Sequence, residues 1–259
     1  MIEIKIEYSK NTYTFWHPEK FNELNEEQYR AFIEHAYLPK TPLDERMSDR
    51  LILLQEFLGK KVNYAFKTRW YKVIDSLVNE GVIDELLKLQ DFMQEEQIFN
   101  AWILKELKIS RLKYYGPYDR FGYMTFAEFI SADMLFMAWF DNKDKEVLYK
   151  FAATLYKEVK DDEFSSKVIN QRAEIFKNLS DIDVSAIVFN YSSMRYWLTQ
   201  KYPFVFKGSE ETQELHLGSS QHSWMNIRRN LAGDVLNLDK VDKLLLHDVL
   251  ADLNEKMSK

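Results

Sequence analysis

Thr125-Phe126-Ala127-Glu128-Phe129-Ile130-Ser131-Ala132-Asp133-Met134-Leu135-Phe136-Met137-Ala138-Trp139-Phe140 is the most apolar stretch of this chain. It opens with a capping box. The Thr125 hydroxyl can accept from the backbone N–H three residues on, and Glu128 can reach back. The residues that follow are apolar nearly all round, which places the helix at the centre of a bundle rather than on its surface. The run is interrupted by Glu128 and Asp133 and falls short of the roughly 20 apolar residues a bilayer span needs. Asp133 is the odd residue: a charge in such a helix must find a partner or face an edge. A buried structural hydrogen bond is the simpler reading, and general acid/base chemistry the sharper one.

On its C-terminal side, Asp141-Asn142-Lys143-Asp144 separates this helix from an amphipathic one carrying Val147, Leu148, Phe151, Ala152, Leu155, Tyr156 and Val159. Helices are expected from Ser166 to Leu179 and after a cap at Ser180 or Asp181, with Ile187, Val188, Tyr191, Met194 and Leu198 inward. Shorter ones are expected over Trp224 to Leu231 and after a cap at Asp239, the last with Leu246, Val249, Leu250, Leu253 and Met257 as its stripe. On the N-terminal side, Lys113 to Met124 reads as a loop. Phe99, Ile103 and Leu107 read as a helical stripe, as do Ile83, Leu86, Leu87 and Met93. A helix is expected over 63–79. Another carries Met47, Leu51, Leu54 and Leu58 and stops at Gly59; another is capped by Asn25 with Gln28 reciprocal and ends before Pro39 and Pro42. Ile2, Ile4, Ile6 and Tyr8 alternate with charges, Ser9-Lys10-Asn11 can turn, and Thr12 to Trp16 is β-branched and aromatic. That pattern is a β-hairpin. The expected fold is therefore mainly α: a helical, bundle-like body with a small N-terminal hairpin. The charged run at 160–166 is the best boundary, dividing a hairpin-plus-helical domain (1–160) from a C-terminal helical region (161–259); one continuous domain is the other reading.

Composition agrees. The 259 residues hold 46% apolar side chains, with 7 Gly and 5 Pro, so turns are few. There is no cysteine, which excludes disulfides, thiolate metal sites and Cys nucleophiles. Met1 to Lys5 is too charged for a signal peptide. The net charge of −6 gives no general drive towards nucleic acid or anionic lipid.

Catalytic patterns are hard to find. Glu211, Glu214, His216 and His222 lie close together, but in a Ser/Gly-bearing stretch without His-x-x-x-His spacing, so a solvated loop is preferred to a metal site. Ser192 and Ser193 sit in a helical pattern, where back-bonding to the helix is the usual role. No P-loop or Gly-x-Gly-x-x-Gly string occurs. The expectation is a non-enzymatic protein with no cofactor and no metal. Arg195, Tyr196, Trp197, Trp224, Arg228 and Arg229, with Lys201, Lys207 and Tyr202 nearby, mix cations and aromatics. They are the candidate partner-binding surface, since such residues are enriched where proteins dock. The same string could stack on and hold nucleic acid, which the acidic chain disfavours. The hairpin and the irregular 203–223 segment are the expected contact elements.

Several strings form a pattern in order: Trp16 with Phe21-Asn22-Glu23-Leu24-Asn25-Glu26-Glu27-Gln28-Tyr29; Gly116-Pro117-Tyr118-Asp119; Thr125 to Phe129; Lys201-Tyr202-Pro203-Phe204-Val205-Phe206; and Trp224 with Leu231-Ala232-Gly233. Across most of the chain this resembles a group of phage and prophage proteins of Bacteroidota hosts encoded among head and tail morphogenesis genes. The resemblance implies a bacteriophage structural or assembly protein, foremost in tail morphogenesis, bound to tail or connector components and able to self-associate. A head–tail connector or other virion component is the second implication, and a nucleic-acid-binding or regulatory phage protein the third. Host bacterial cytoplasm or the virion is the expected location, without a membrane. The resemblance carries no functional residue with it.

Overall fold

The computed structural model describes residues 1–8, 11–57, 83–93, 99–158, 164–206 and 221–259. The chain forms two compact units, Met1–Phe99 and Asn100–Lys259. The charged 160–166 run thus falls inside the second unit, and its residues 160–163 lie outside the described ones. The protein is mainly α, as its sequence predicts. No helix among the described residues is long and apolar enough to cross a membrane.

Unit 1 begins with the expected hairpin, β1 (Ile2–Tyr8) antiparallel to β2 (Asn11–His17), with Ile2 opposite His17. Strand alternation turns neighbours to opposite faces. Trp16 is half-exposed while His17 is fully buried, edge-on to Phe57 and Phe92. Helix α1 (Glu26–Phe32) starts with the capping box: Gln28 N–H donates to Asn25 Oδ1, and Asn25 N–H donates to Gln28 Oε1. The Gln28 amide also donates to the Phe57 carbonyl at the end of α2 (Met47–Phe57), so one side chain starts one helix and closes another. After α1 the chain widens into a π-turn, Ile33–Tyr37. Arg50 and Gln90 exchange hydrogen bonds with the opposite backbone, at Leu87 O and Arg50 O, tying α2 to the segment that holds α3 (Ile83–Lys88). The core is aromatic: Phe21 stacks on Phe99 at 5.2 Å and meets Phe32 edge-on at 4.9 Å. The helix expected over 63–79 and the stop at Gly59 lie outside the described residues.

Unit 2 corrects one expectation at once. The Phe99–Ile103–Leu107 stripe is not a helix. Residues 101–105 run irregularly, and β3 (Glu106–Ile109) pairs with β4 (Leu112–Tyr115) in a second hairpin. Side-chain spacing of four fits a helix, but Asn190 supplies the backbone partners instead. It accepts from Ile103 N–H and donates to Ala101 O. The expected 113–124 loop therefore begins only after Tyr115.

The Thr125/Glu128 capping box is present and opens α4 (Phe126–Asn142). After α4 come α5 (Lys145–Leu155), α6 (Ser166–Phe176), α7 (Asp181–Lys201), the short α8 (Pro203–Phe206), α9 (Gln221–Ala232), α10 (Leu238–Asp242) and α11 (Leu246–Met257); α5, α9, α10 and α11 pack on α4, and α6 packs on α5. Asp144, Ser165 and Ser180 cap α5, α6 and α7 through their side chains. Two boundaries move. The amphipathic helix ends at Leu155, because Lys157 leaves to form a bridge with Tyr115. Asp239 does not cap the last helix; it lies within α10, and α11 starts where Leu246 N–H donates to Met124 O.

Asp133 is the centre of unit 2. Its carboxylate accepts from Arg195 Nε at 2.5 Å and Nη2 at 3.3 Å, from Tyr191 OH at 3.1 Å and from Trp224 Nε1 at 2.8 Å. Asp133 and Arg195 are each about 1% exposed. Burial alone would lower the Arg195 pKa, but the Asp133 charge outweighs it and the guanidinium stays protonated. Burial, then Asp133, raises the Tyr191 hydroxyl well above its ordinary pKa, so it remains a donor.

Removing one member of a buried pair strands the other charge. Arg195→Met is expected to lower unfolding free energy by about 3–5 kcal/mol in urea melts, and Asp133→Leu in the same chain to recover part of that loss. In unit 1, burial lowers the His17 pKa to about 4 from 6.5. The unfolded chain therefore takes the proton first, and stability falls as pH drops from 6.5 to about 4. The His17→Gln variant should lack this component, on the order of 3 kcal/mol, when the pH dependence of its melts is subtracted from that of the parent.

Candidate docking site: a tyrosine-rimmed cleft

The cleft lies within unit 2. It has a volume of ≈ 590 Å³ and is lined by the end of β4, the 116–124 segment, the start of α4 and the exit of α5. Local backbone chemistry builds it. Tyr115 and Lys157 exchange both backbone hydrogen bonds, at 2.8 and 3.0 Å, so the α5 exit forms one wall. Gly116 N–H donates to Lys105 O. Gly116 must be glycine, because a Cβ there would lie 2.4 Å from Trp102 Nε1 and 2.9 Å from Tyr156 Cε1. Both rings are fully buried, and the Tyr156 hydroxyl and Trp102 indole N–H both donate to Leu104 O.

The segment then folds through successive tight turns: Phe121 N–H to Tyr118 O, Gly122 N–H to Asp119 O, Met124 N–H to Phe121 O. Arg120, Phe121 and Tyr123 adopt φ of 60°, 53° and 63°. Bulky residues rarely adopt positive φ, which costs on the order of 1–3 kcal/mol each and persists only where the surroundings over-determine it. Here they do. Phe121 is fully buried against Trp102, Phe129 and Tyr191. Asp119 Oδ1 accepts from Trp102 N–H at 2.8 Å, and Arg120 N–H donates to Asn100 O at 2.9 Å. The Arg120 carbonyl is 2.6 Å from His247 Nε2, and His247 Nδ1 is 2.9 Å from Tyr202 OH. A carbonyl only accepts, so Nε2 carries the proton, and Nδ1 accepts from the tyrosine. Burial lowers the His247 pKa and keeps it in this neutral form.

The strain presents two rings to solvent. Tyr118 is 67% exposed and Tyr123 77%; their centroids are 5.1 Å apart at 72°. Below them Glu128 holds the Thr125 N–H with one oxygen and Lys157 with the other. Lys105 and Asp119 face each other at 3.8 Å.

The residues proposed from sequence as a contact surface lie elsewhere, and two are corrected. Arg195 and Trp224 are core residues committed to Asp133; Trp224 packs edge-on to Phe126 and Phe129. Arg228 is clamped to Asp242, which raises its pKa through their hydrogen bonds. Tyr196 and Trp197 are half-buried, Trp197 edge-on to His247 with Lys201 over its ring at 5.1 Å. Arg229 is exposed. The six do not make one surface. Ser192 back-bonds to Val188 O at 2.8 Å, as a helical serine does. Among the described residues no group of three or more His, Asp or Glu could hold a metal; Glu211, Glu214 and His216 lie outside them. The cleft itself escaped sequence reading, because nothing in Arg120, Phe121 or Tyr123 signals positive φ. Gly116-Pro117-Tyr118-Asp119 was its one visible trace.

No protein-family model, no curated protein and no solved structure matches this chain.

Gly116→Ala is expected to lower stability by about 1–3 kcal/mol through overpacking, read as a lower melting temperature. Gly122→Ala is expected to be nearly silent, since its Cβ would meet nothing closer than 3.4 Å.

Proposed function

We propose that this chain is a non-enzymatic bacteriophage structural or assembly protein that acts in tail morphogenesis by docking another phage protein in the tyrosine-rimmed cleft. One observation carries the docking part. A backbone strained at three bulky residues is locked from beneath so that two tyrosines stand in solvent beside a preformed concavity. Strain of this kind concentrates at functional sites, where it pre-organises contacts. Tyrosine is a preferred anchor of protein interfaces: it offers large area with little rotamer freedom to lose. Two of the three lining carboxylates have structural tasks, Glu128 as helix cap and Lys157 partner, Asp119 as anchor of Trp102. The phage assignment rests on the resemblance of the Trp16–Tyr29, Gly116–Asp119, Thr125–Phe129 and Lys201–Phe206 strings. Under it the protein works in host cytoplasm or in the virion.

Affinity capture from prophage-induced cells tests both parts. The tagged chain should retain a tail or connector protein, and Tyr118→Ala with Tyr123→Ala should lose it while keeping the parent's melting temperature. Capture that survives the double variant would move the interface away from the cleft. Capture of host proteins only would remove the morphogenesis role.

A further inference from the structure

We propose that the cleft receives a lysine or arginine side chain of the partner. This rests on the docking reading above and names what the docked segment must contain. The first observation is geometric. Tyr118 and Tyr123 meet edge to face at 72° with centroids 5.1 Å apart, and both are largely exposed, so the ring faces that this contact leaves uncovered are open to solvent. Tyr115, 40% exposed, lines the same cleft. Aromatic faces carry the negative part of the ring quadrupole and attract a cation placed over them.

The second observation is charge. The cleft is lined by Asp119, Glu128 and Glu158 against Lys105 and Lys157, three acids less two bases, a formal −1. The lysines do not prepare it for an anion. Lys157 is held by Glu128, and Lys105 faces Asp119. A carboxylate entering here would have to displace one of these acids and would meet the tyrosine faces repulsively. A cation beside Asp119 competes only with an exposed pair held at 3.8 Å, and it meets the tyrosine faces attractively. It can lie over the rings beside Asp119, whose Oδ2 pairs with Lys105 at 3.8 Å through two side chains that are both more than half exposed. The chain's overall charge of −6 adds a long-range field of the same sign, which favours approach of a basic segment. Arginine suits this site best, because its planar guanidinium stacks on one ring face while donating to a carboxylate.

The test uses the full chain and three fluorescein-labelled heptapeptides, Gly/Ser throughout except for a central arginine, citrulline or glutamate. Citrulline keeps the planar shape of arginine without its charge. Binding is followed by fluorescence anisotropy at low and high salt. The arginine peptide is expected to bind at least about 3-fold more tightly than the citrulline one, the scale of an exposed cation–π contact. It should weaken with salt and in Asp119→Asn, and lose its advantage in Tyr118→Ala with Tyr123→Ala. Tyr118→Phe with Tyr123→Phe, which keeps the faces, should retain it. Equal binding of arginine and citrulline peptides, a preference for glutamate, or no binding of the arginine peptide would each overturn the proposal. None of these touches the docking reading, which stands or falls on the cellular capture by the double alanine variant.

Discussion

A carboxylate cannot remain alone in the middle of an apolar helix bundle, and unit 2 is arranged around that constraint. Asp133 is surrounded by donors from α7 and α9, and its demand for hydrogen bonds fixes where those helices lie and how they are rotated. Tyr191 and Arg195 are four residues apart and reach it from one helix face. Trp224 reaches it from the other side and covers Phe126 and Phe129 as it does so. Apolar packing alone tolerates many rotations of a helix; a bidentate ion pair with two further donors tolerates few.

The same arrangement extends to the cleft. Tyr191, placed by Asp133, supports the ring of Phe121 at 5.5 Å, and Phe121 is the buried anchor of the strained turn. His247 holds the neighbouring carbonyl from α11, and Asn190 holds the irregular 101–103 segment from α7. The exposed tyrosines are thus displayed by a chain of contacts that begins in the core. A loop held only by its own turns would sample other conformations and lose ordering entropy on binding. This one is held by residues up to 127 positions away in sequence.

What the sequence revealed and what it hid divide along interaction range. Both capping boxes, Asn25/Gln28 and Thr125/Glu128, were legible because donor and acceptor are three residues apart. The first hairpin was legible from strict alternation, and Asp133 was recognisable as a charge in need of a partner. The second hairpin has no such local mark: Phe99, Ile103 and Leu107 fit a helix period, while the decisive partner, Asn190, is 87 residues distant from Ile103. Arg195 and Trp224 read as surface from their types alone, because Arg and Trp are enriched where proteins dock. Yet Arg195 shares a helix face with Tyr191 and Leu198, both buried, and that spacing carried the warning. The cleft had no local signature beyond Gly116-Pro117-Tyr118-Asp119, since positive φ in Arg, Phe and Tyr is imposed from outside the segment.

The small bridge between Thr125 and Leu245 bears on how unit 2 is made. Phe126 N–H donates to Leu244 O, and Leu246 N–H donates to Met124 O, so the first turn of the central helix is completed by chain some 120 residues later. Asp133 likewise waits for Tyr191, Arg195 and Trp224. A ribosome adds on the order of 5–20 residues per second. The most apolar helix of the protein is therefore exposed for several seconds before its closing strand and its counter-ion exist. During that interval its own capping box, the preceding segment through Phe121, and α5, which follows directly, are at hand to shield it. The central helix therefore reaches its final environment only when the last part of unit 2 has been made.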